Sequence, residues 1–225
     1  MNQEEVRGGQ AALGRNVFLE GASNGAPSVM FLGNSVTWHG PKDDIGWSGA
    51  WGMAASAREK DYAHLLMGRV RARHPRARFV LTQGAVWERA LEQCDLAAEF
   101  GPALRFPADV IIFTLGANTS EEGLTQPRFR DAMEALLAYL STEKTRWLLC
   151  SNLFGGAKNG AINGAIREVA GRSGSEYIDL GDILLSPENR ALGLFGHQGV
   201  ANHPGDLGMA RIAERIWPHL EKALK

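Results

Sequence analysis

Apolar residues fall in two kinds of block along this chain, short continuous runs and longer stretches in which they recur at helical spacing. Val29-Met30-Phe31-Leu32 is the first firm run, and its continuity suits a parallel strand covered on both faces. It predicts a strand over 28–33. Arg78-Phe79-Val80-Leu81-Thr82 predicts the second, and Asp109 to Leu115, rich in β-branched and aromatic residues, a central third. Arg146 to Ser151 and Glu176 to Leu180 complete the set. Between them, Tyr62, Leu65, Leu66 and Val70 mark a helix over 58–73, with basic residues crowding its end before Pro75. Further helices are expected over 86–94, 127–142, 157–171 and 206–225, the last kinked at Pro218. Strands alternating with helices give an α/β class, a three-layer α/β/α domain around a parallel sheet of about five strands.

Residues 1–27 do not fit that alternation. They are rich in Gly, Ala and Asn, and only Val17-Phe18-Leu19 has strand character. They read as an N-terminal arm packed on the domain surface or on a second subunit, ahead of one domain over 28–225, and so leave room for a homo-oligomer. A chain of 225 residues is long enough for one full core.

Composition narrows the partners. A formal net charge of -1 gives no basic excess, so neither nucleic acid nor an anionic membrane is expected. No apolar run reaches membrane-spanning length, and the first residues lack a signal-peptide pattern, which together suggest a cytoplasmic protein. The two cysteines, Cys94 and Cys150, are too few for a disulfide framework and read as reduced core or boundary residues.

Chemistry gathers where the strands end. Gly33-Asn34-Ser35 follows the first strand, Gly84 the second and Asn118 the third. Parallel strands present their carboxyl ends at one edge, so these residues meet in space. There Ser35 either closes a turn as an ordinary cap or serves as a nucleophile. The Ser35 amide, the Gly84 amide and the Asn118 carboxamide could together stabilise an oxyanion. His203, in the loop before the last helix, could take the serine proton. His39 and His197 are weaker site candidates. The loop over 38–56 carries Trp38, Trp47 and Trp51, either as aromatics that pin it down or as a wall that stacks on a substrate. With Asn34 and His39 they form the expected substrate-binding set.

Gly33-Asn34-Ser35, Gly84, Gly116-Ala117-Asn118 and His203-Pro204 resemble, in order and spacing, the four blocks of the SGNH (GDSL-type) hydrolase family. The resemblance spans residues 28–210. It implies a flavodoxin-like fold, serine-esterase chemistry on ester or O-acetyl substrates, and no metal or other cofactor. Carried over, Ser35 is the nucleophile and His203 the base, with Ser35, Gly84 and Asn118 forming the oxyanion hole. Three positions depart from the pattern. Asn34 and Thr119 replace residues that are often Asp, and Val200 stands where an Asp usually orients the base. The substitute is either a backbone carbonyl, such as that of Val200, or a distant carboxylate among Asp43, Asp44, Glu88, Asp182 and Asp206.

The leading expectation is therefore a serine esterase that removes small acyl groups, acetyl in particular, from a carbohydrate or other small polar ester. The alternatives are a degenerate hydrolase that binds carbohydrate or another ligand, and an acyltransferase using the same site.

Overall fold

Each apolar run becomes a strand, and all the strands join one sheet. The computed structural model describes residues 5, 6 and 10–225. Its strands are β1 (Glu5–Val6), β2 (Gln10–Gly14), β3 (Val17–Glu20), β4 (Ser28–Gly33), β5 (Arg78–Gln83), β6 (Val110–Phe113), β7 (Arg146–Cys150) and β8 (Glu176–Ile178). Their spatial order is β1-β2-β3-β5-β4-β6-β7-β8. β5, β4, β6, β7 and β8 run parallel.

The sheet is larger than the expected five strands, with eight among the described residues. The additions come from the N-terminal arm, which neither lies on the domain surface nor stands apart. β1, β2 and β3 are antiparallel, and β3 pairs with β5, Phe18 opposite Leu81. The reason is the edge that β5 would otherwise expose, a row of unpaired amides and carbonyls that β3 covers. Val17, Phe18, Leu19 and Glu20 are all buried there. Residues 1–4 and 7–9 of the arm lie outside the described residues.

The helices are α1 (Tyr62–Arg73), α2 (Ala85–Ala90), α3 (Leu96–Phe100), α4 (Gln126–Leu140), α5 (Asn159–Ser173), α6 (Gln198–Ala201) and α7 (Asp206–Ala223). α1 and α7 pack on one face of the sheet, α4 and α5 on the other. β4 feeds both cores, with Val29 and Phe31 turned to the first and Met30 and Leu32 to the second. That is why its apolar run has no polar alternation. α1 starts later than the spacing suggests because the Asp61 carboxylate caps it, accepting the His64 amide at 2.8 Å. The helix expected over 86–94 stops at Ala90, where Leu91 takes a positive φ of 49°. Pro218 sits inside α7, which continues past it. Among the described residues, no helix is long and apolar enough to cross a membrane.

The strand order places the site. After β4 the chain moves to one side to form β5, then returns across β4 to form β6. In open α/β sheets such a switch of direction leaves a crevice at the carboxyl end of the middle strand. The residue group that follows β4 is Asn34-Ser35.

Candidate active site

A tight turn raises Ser35 out of the sheet. The Asn34 carbonyl accepts the amides of Thr37 and Trp38, and its side-chain oxygen accepts the Val36 amide at 3.2 Å. These bonds satisfy the backbone without a helix, so the Ser35 hydroxyl is not used as a cap. Gly33 makes the turn possible. A Cβ there would lie 1.9 Å from Thr37 Oγ1 and 2.3 Å from Thr114 Oγ1.

The hydroxyl instead meets a histidine. Ser35 Oγ lies 2.7 Å from His203 Nε2, across 168 positions of sequence. The other ring nitrogen, Nδ1, lies 2.7 Å from the Gly199 carbonyl oxygen. A carbonyl can only accept, so Nδ1 carries the proton and Nε2 presents its lone pair to the serine. Burial lowers the His203 pKa below its ordinary value, with the nearby His39 acting in the same direction and the Gly199 bond opposing both. Phe154 covers one edge of the ring at 5.3 Å between centroids. The imidazole is thus neutral, oriented and bonded to the hydroxyl, as a general base requires.

The orienting carbonyl is that of Gly199, not of Val200. The last turn of α6 tightens, and the His203 amide bonds the Val200 carbonyl at 2.9 Å. The Gly199 carbonyl, which a regular helix would give to that amide, is left for the ring. The five candidate carboxylates are engaged elsewhere or exposed. Asp206 binds Ser56 and Lys60, Asp182 binds Arg215, Asp44 pairs with Lys42, and Asp43 lies on the surface.

Glu88 has a different place. It is fully buried in α2, where it accepts Asn34 Nδ2 at 3.0 Å, the Gly116 amide at 2.5 Å and Asn118 Nδ2 at 2.5 Å. Burial raises its pKa, and these same bonds pull it back. On the other side of the Asn118 turn, Lys158 Nζ donates to the carbonyls of Ala117 at 2.5 Å and Thr119 at 2.8 Å.

The three expected oxyanion donors lie differently. The Ser35 amide has no acceptor among the described residues, and Asn118 faces the same cavity as Ser35. Gly84 does not contribute. Its amide donates to the Gly33 carbonyl at 2.7 Å, and the loop turns Gln83 and Ala85 to the cavity instead.

That cavity, about 240 Å³, is bounded by Ser35, His39, Lys42, Arg89, Asn118, His197 and His203 among others. The tryptophans expected as its wall are not there. Trp38 stacks on Phe18 at 4.1 Å and donates to Gln10, Trp47 is buried and donates to the His39 carbonyl, and Trp51 donates to the Ala55 carbonyl. Trp38 thus pins the loop to the N-terminal strands, while the Trp47 and Trp51 bonds hold the loop to itself. Asn34 is buried as well, its side chain used by Val36 and Glu88. Of the expected substrate-binding set, His39 alone reaches the cavity, joined by His197. Among the described residues, no group of three His, Cys, Asp or Glu side chains is arranged to hold a metal ion.

Residues 31–211 match the GDSL-like lipase/acylhydrolase family. The chain belongs to that family. It is accordingly a carboxylic ester hydrolase. Solved structures repeat the fold. A lipase/acylhydrolase from Enterococcus faecalis superposes with a TM-score of 0.60 at 14% identity, covering 88% of this chain and 97% of its own. A two-domain esterase active on acetylated mannans gives 0.55 at 21% identity over 88% of this chain and 49% of its own. A family two carbohydrate esterase from Cellvibrio japonicus gives 0.54 at 18% identity over 92% and 64%. No curated protein sequence matches.

Proposed function

We propose that this family member is a serine esterase working through a Ser35–His203 dyad, and that it removes small acyl groups, acetyl foremost, from a carbohydrate or similar polar alcohol. The observation that carries the reading is the 2.7 Å contact between Ser35 Oγ and a His203 Nε2 whose tautomer the Gly199 carbonyl fixes. His203 takes the hydroxyl proton as Ser35 Oγ attacks the ester carbonyl. The Ser35 amide and the free N–H of Asn118 receive the negative charge that develops on oxygen. His203 then returns the proton to the departing alcohol, and water repeats the sequence to release the acid.

The cavity of about 240 Å³ supports a short acyl group over a long chain. The carbohydrate reading leans on the structural neighbours, whose fold is shared at low identity and two of which are, by name, an esterase active on acetylated mannans and a carbohydrate esterase.

The test is turnover of 4-nitrophenyl acetate by the protein and by Ser35→Ala, with fluorophosphonate labelling followed by mass mapping. We expect a single adduct on Ser35 and loss of turnover in the variant. Equal turnover in both proteins sinks the serine mechanism. Sugar binding without labelling would favour the degenerate binding protein.

A further inference from the structure

We propose that Glu88 is a positioning residue for the oxyanion site, a buried carboxylate that sets Asn118 and the nucleophile turn in register. The proposal rests on the serine-esterase reading of the site. Glu88 lies on α2, after β5, yet its two oxygens bind the turn after β4 through Asn34 and the turn after β6 through Gly116 and Asn118. One side chain on α2 therefore ties together the two turns, after β4 and after β6, that carry the Ser35 amide and Asn118. All three bonds run toward the carboxylate, so the ionised form matches its surroundings and no partner there calls for an acid proton.

The consequence for Asn118 is specific. A carboxamide has two N–H bonds, and its oxygen and nitrogen ends are nearly alike in shape. With one N–H held by Glu88 Oε2 at 2.5 Å, the amide cannot turn over, and the second N–H is left for the substrate oxygen. The negative charge behind it polarises that remaining donor. Glu88→Gln keeps the volume but turns one acceptor into an NH₂ that faces donors, which releases Asn118 or Asn34 from its orientation.

The experiment compares Glu88→Gln, Asn118→Ala and the double variant with the unchanged protein, following kcat and KM on 4-nitrophenyl acetate and thermal unfolding. We expect kcat to fall about 10²-fold in each single variant with KM moving less than about threefold. In the Asn118→Ala background Glu88→Gln should cost less than about threefold more, because its partner is gone. Additive losses, or a fall in Tm with kcat unchanged, overturn the proposal. If Glu88→Gln does not fold, Glu88→Asp, which keeps the charge one methylene short, takes its place. Failure of both to fold assigns Glu88 to the core and also overturns it. Should Ser35→Ala retain full turnover, the serine reading fails instead, a result separate from an active Glu88→Gln beside a dead Ser35→Ala.

A different observation concerns charge. Lys42 and Arg89 are the basic side chains around the cavity besides its histidines, and no carboxylate lines it among the described residues. Arg89 is exposed and has no acidic partner among the described residues, whereas Lys42 is weakly paired with the exposed Asp44 at 3.4 Å. We infer that the cavity takes an ester carrying a carboxylate, with Arg89 as its anchor through a charge-assisted contact. The carboxylate can sit on the acid or on the alcohol part of the ester.

Two matched pairs separate these sources: mono-4-nitrophenyl succinate against its methyl ester, and an O-acetylated galacturonate against its methyl ester. We expect one charged member to exceed its neutral twin by about tenfold in kcat/KM, and that ratio to collapse in Arg89→Gln. Ratios of one or below in both pairs, or a preference that survives in Arg89→Gln, overturn the inference. Absence of both turnover and Ser35 labelling would strike the esterase reading itself.

Discussion

His203 donates its Nδ1 proton to the Gly199 carbonyl four residues earlier, at 2.7 Å, in the place where a carboxylate would be expected. A neutral carbonyl fixes the tautomer as firmly as a carboxylate but gives the forming imidazolium less charge stabilisation. Restoring an aspartate at position 200 is the obvious repair, and the structure argues against it. Val200 is fully buried and packs in a small cluster with Trp47, Met53, Ala54 and Ala191. Val200→Asp would place an unpaired carboxylate among those apolar groups. We expect a loss of about 3 to 5 kcal/mol in stability and a lower kcat. Urea unfolding together with ester turnover checks this. A faster enzyme with unchanged stability would show that the side chain swings to His203.

The pH dependence of the reaction follows from the same ring. Its pKa lies below the ordinary 6.5, because burial disfavours the imidazolium. A general base works in its neutral form, so activity should rise with pH and reach half its plateau below pH 6.5. The kcat/KM profile on a neutral ester, taken from pH 4 to 8, measures that midpoint. A midpoint above the ordinary histidine value would mean that another group limits the reaction.

The fold was legible because the strands are buried on both faces, and such strands write themselves as continuous apolar runs. The N-terminal hairpins were less so. Val17-Phe18-Leu19 has strand character, but nothing in it says that β5 needs an edge partner. At the site, Ser35 and Asn118 could be located from the ends of strands, and His203 only from its loop before the last helix together with the resemblance to the SGNH blocks. Gly84 could not be judged, because the acceptor of its amide, the Gly33 carbonyl, depends on how two turns approach each other. Glu88 was visible only as a spare carboxylate. A charge in the middle of a short helix looks like a solvated face until the fold buries it.

Trp38 separates the two readings of the tryptophan loop. Its indole packs on Phe18 and donates to Gln10 Oε1 at 3.2 Å, away from the cavity. Trp38→Phe keeps the ring and removes the donor. We expect a loss of about 1 kcal/mol in stability and a KM within about twofold of the original. A tenfold rise in KM without a change in Tm would return this residue to the substrate wall.

His64 lies in a buried charge cluster that joins β3, α1 and the tryptophan loop. Its ring bonds Asp61 at 2.7 Å and Glu20 at 2.9 Å, Arg58 also pairs with Glu20, and Asp61 accepts the Gly52 amide. Burial alone would lower the His64 pKa, but Asp61 and Glu20 outweigh it and raise the value to about 9. Burial likewise works to raise Glu20, yet His64, Gln10 and Arg58 bring it down to about 2. The raised imidazole stabilises the fold fully below its unfolded value of 6.5, and that contribution is lost as pH rises through about 9. The lowered carboxylate contributes above its unfolded value of 4.5, and that part is lost as pH falls through about 2. Both contributions are present together between pH 4.5 and 6.5. His64→Ala should therefore cost about 3 kcal/mol at pH 6, where it strips a buried pair of its cation. Near pH 10 the deficit should shrink, because the imidazole is already neutral in the unchanged protein. Urea unfolding of both proteins at the two pH values tests this, and an equal deficit at both would show that the ring acts by packing rather than by charge.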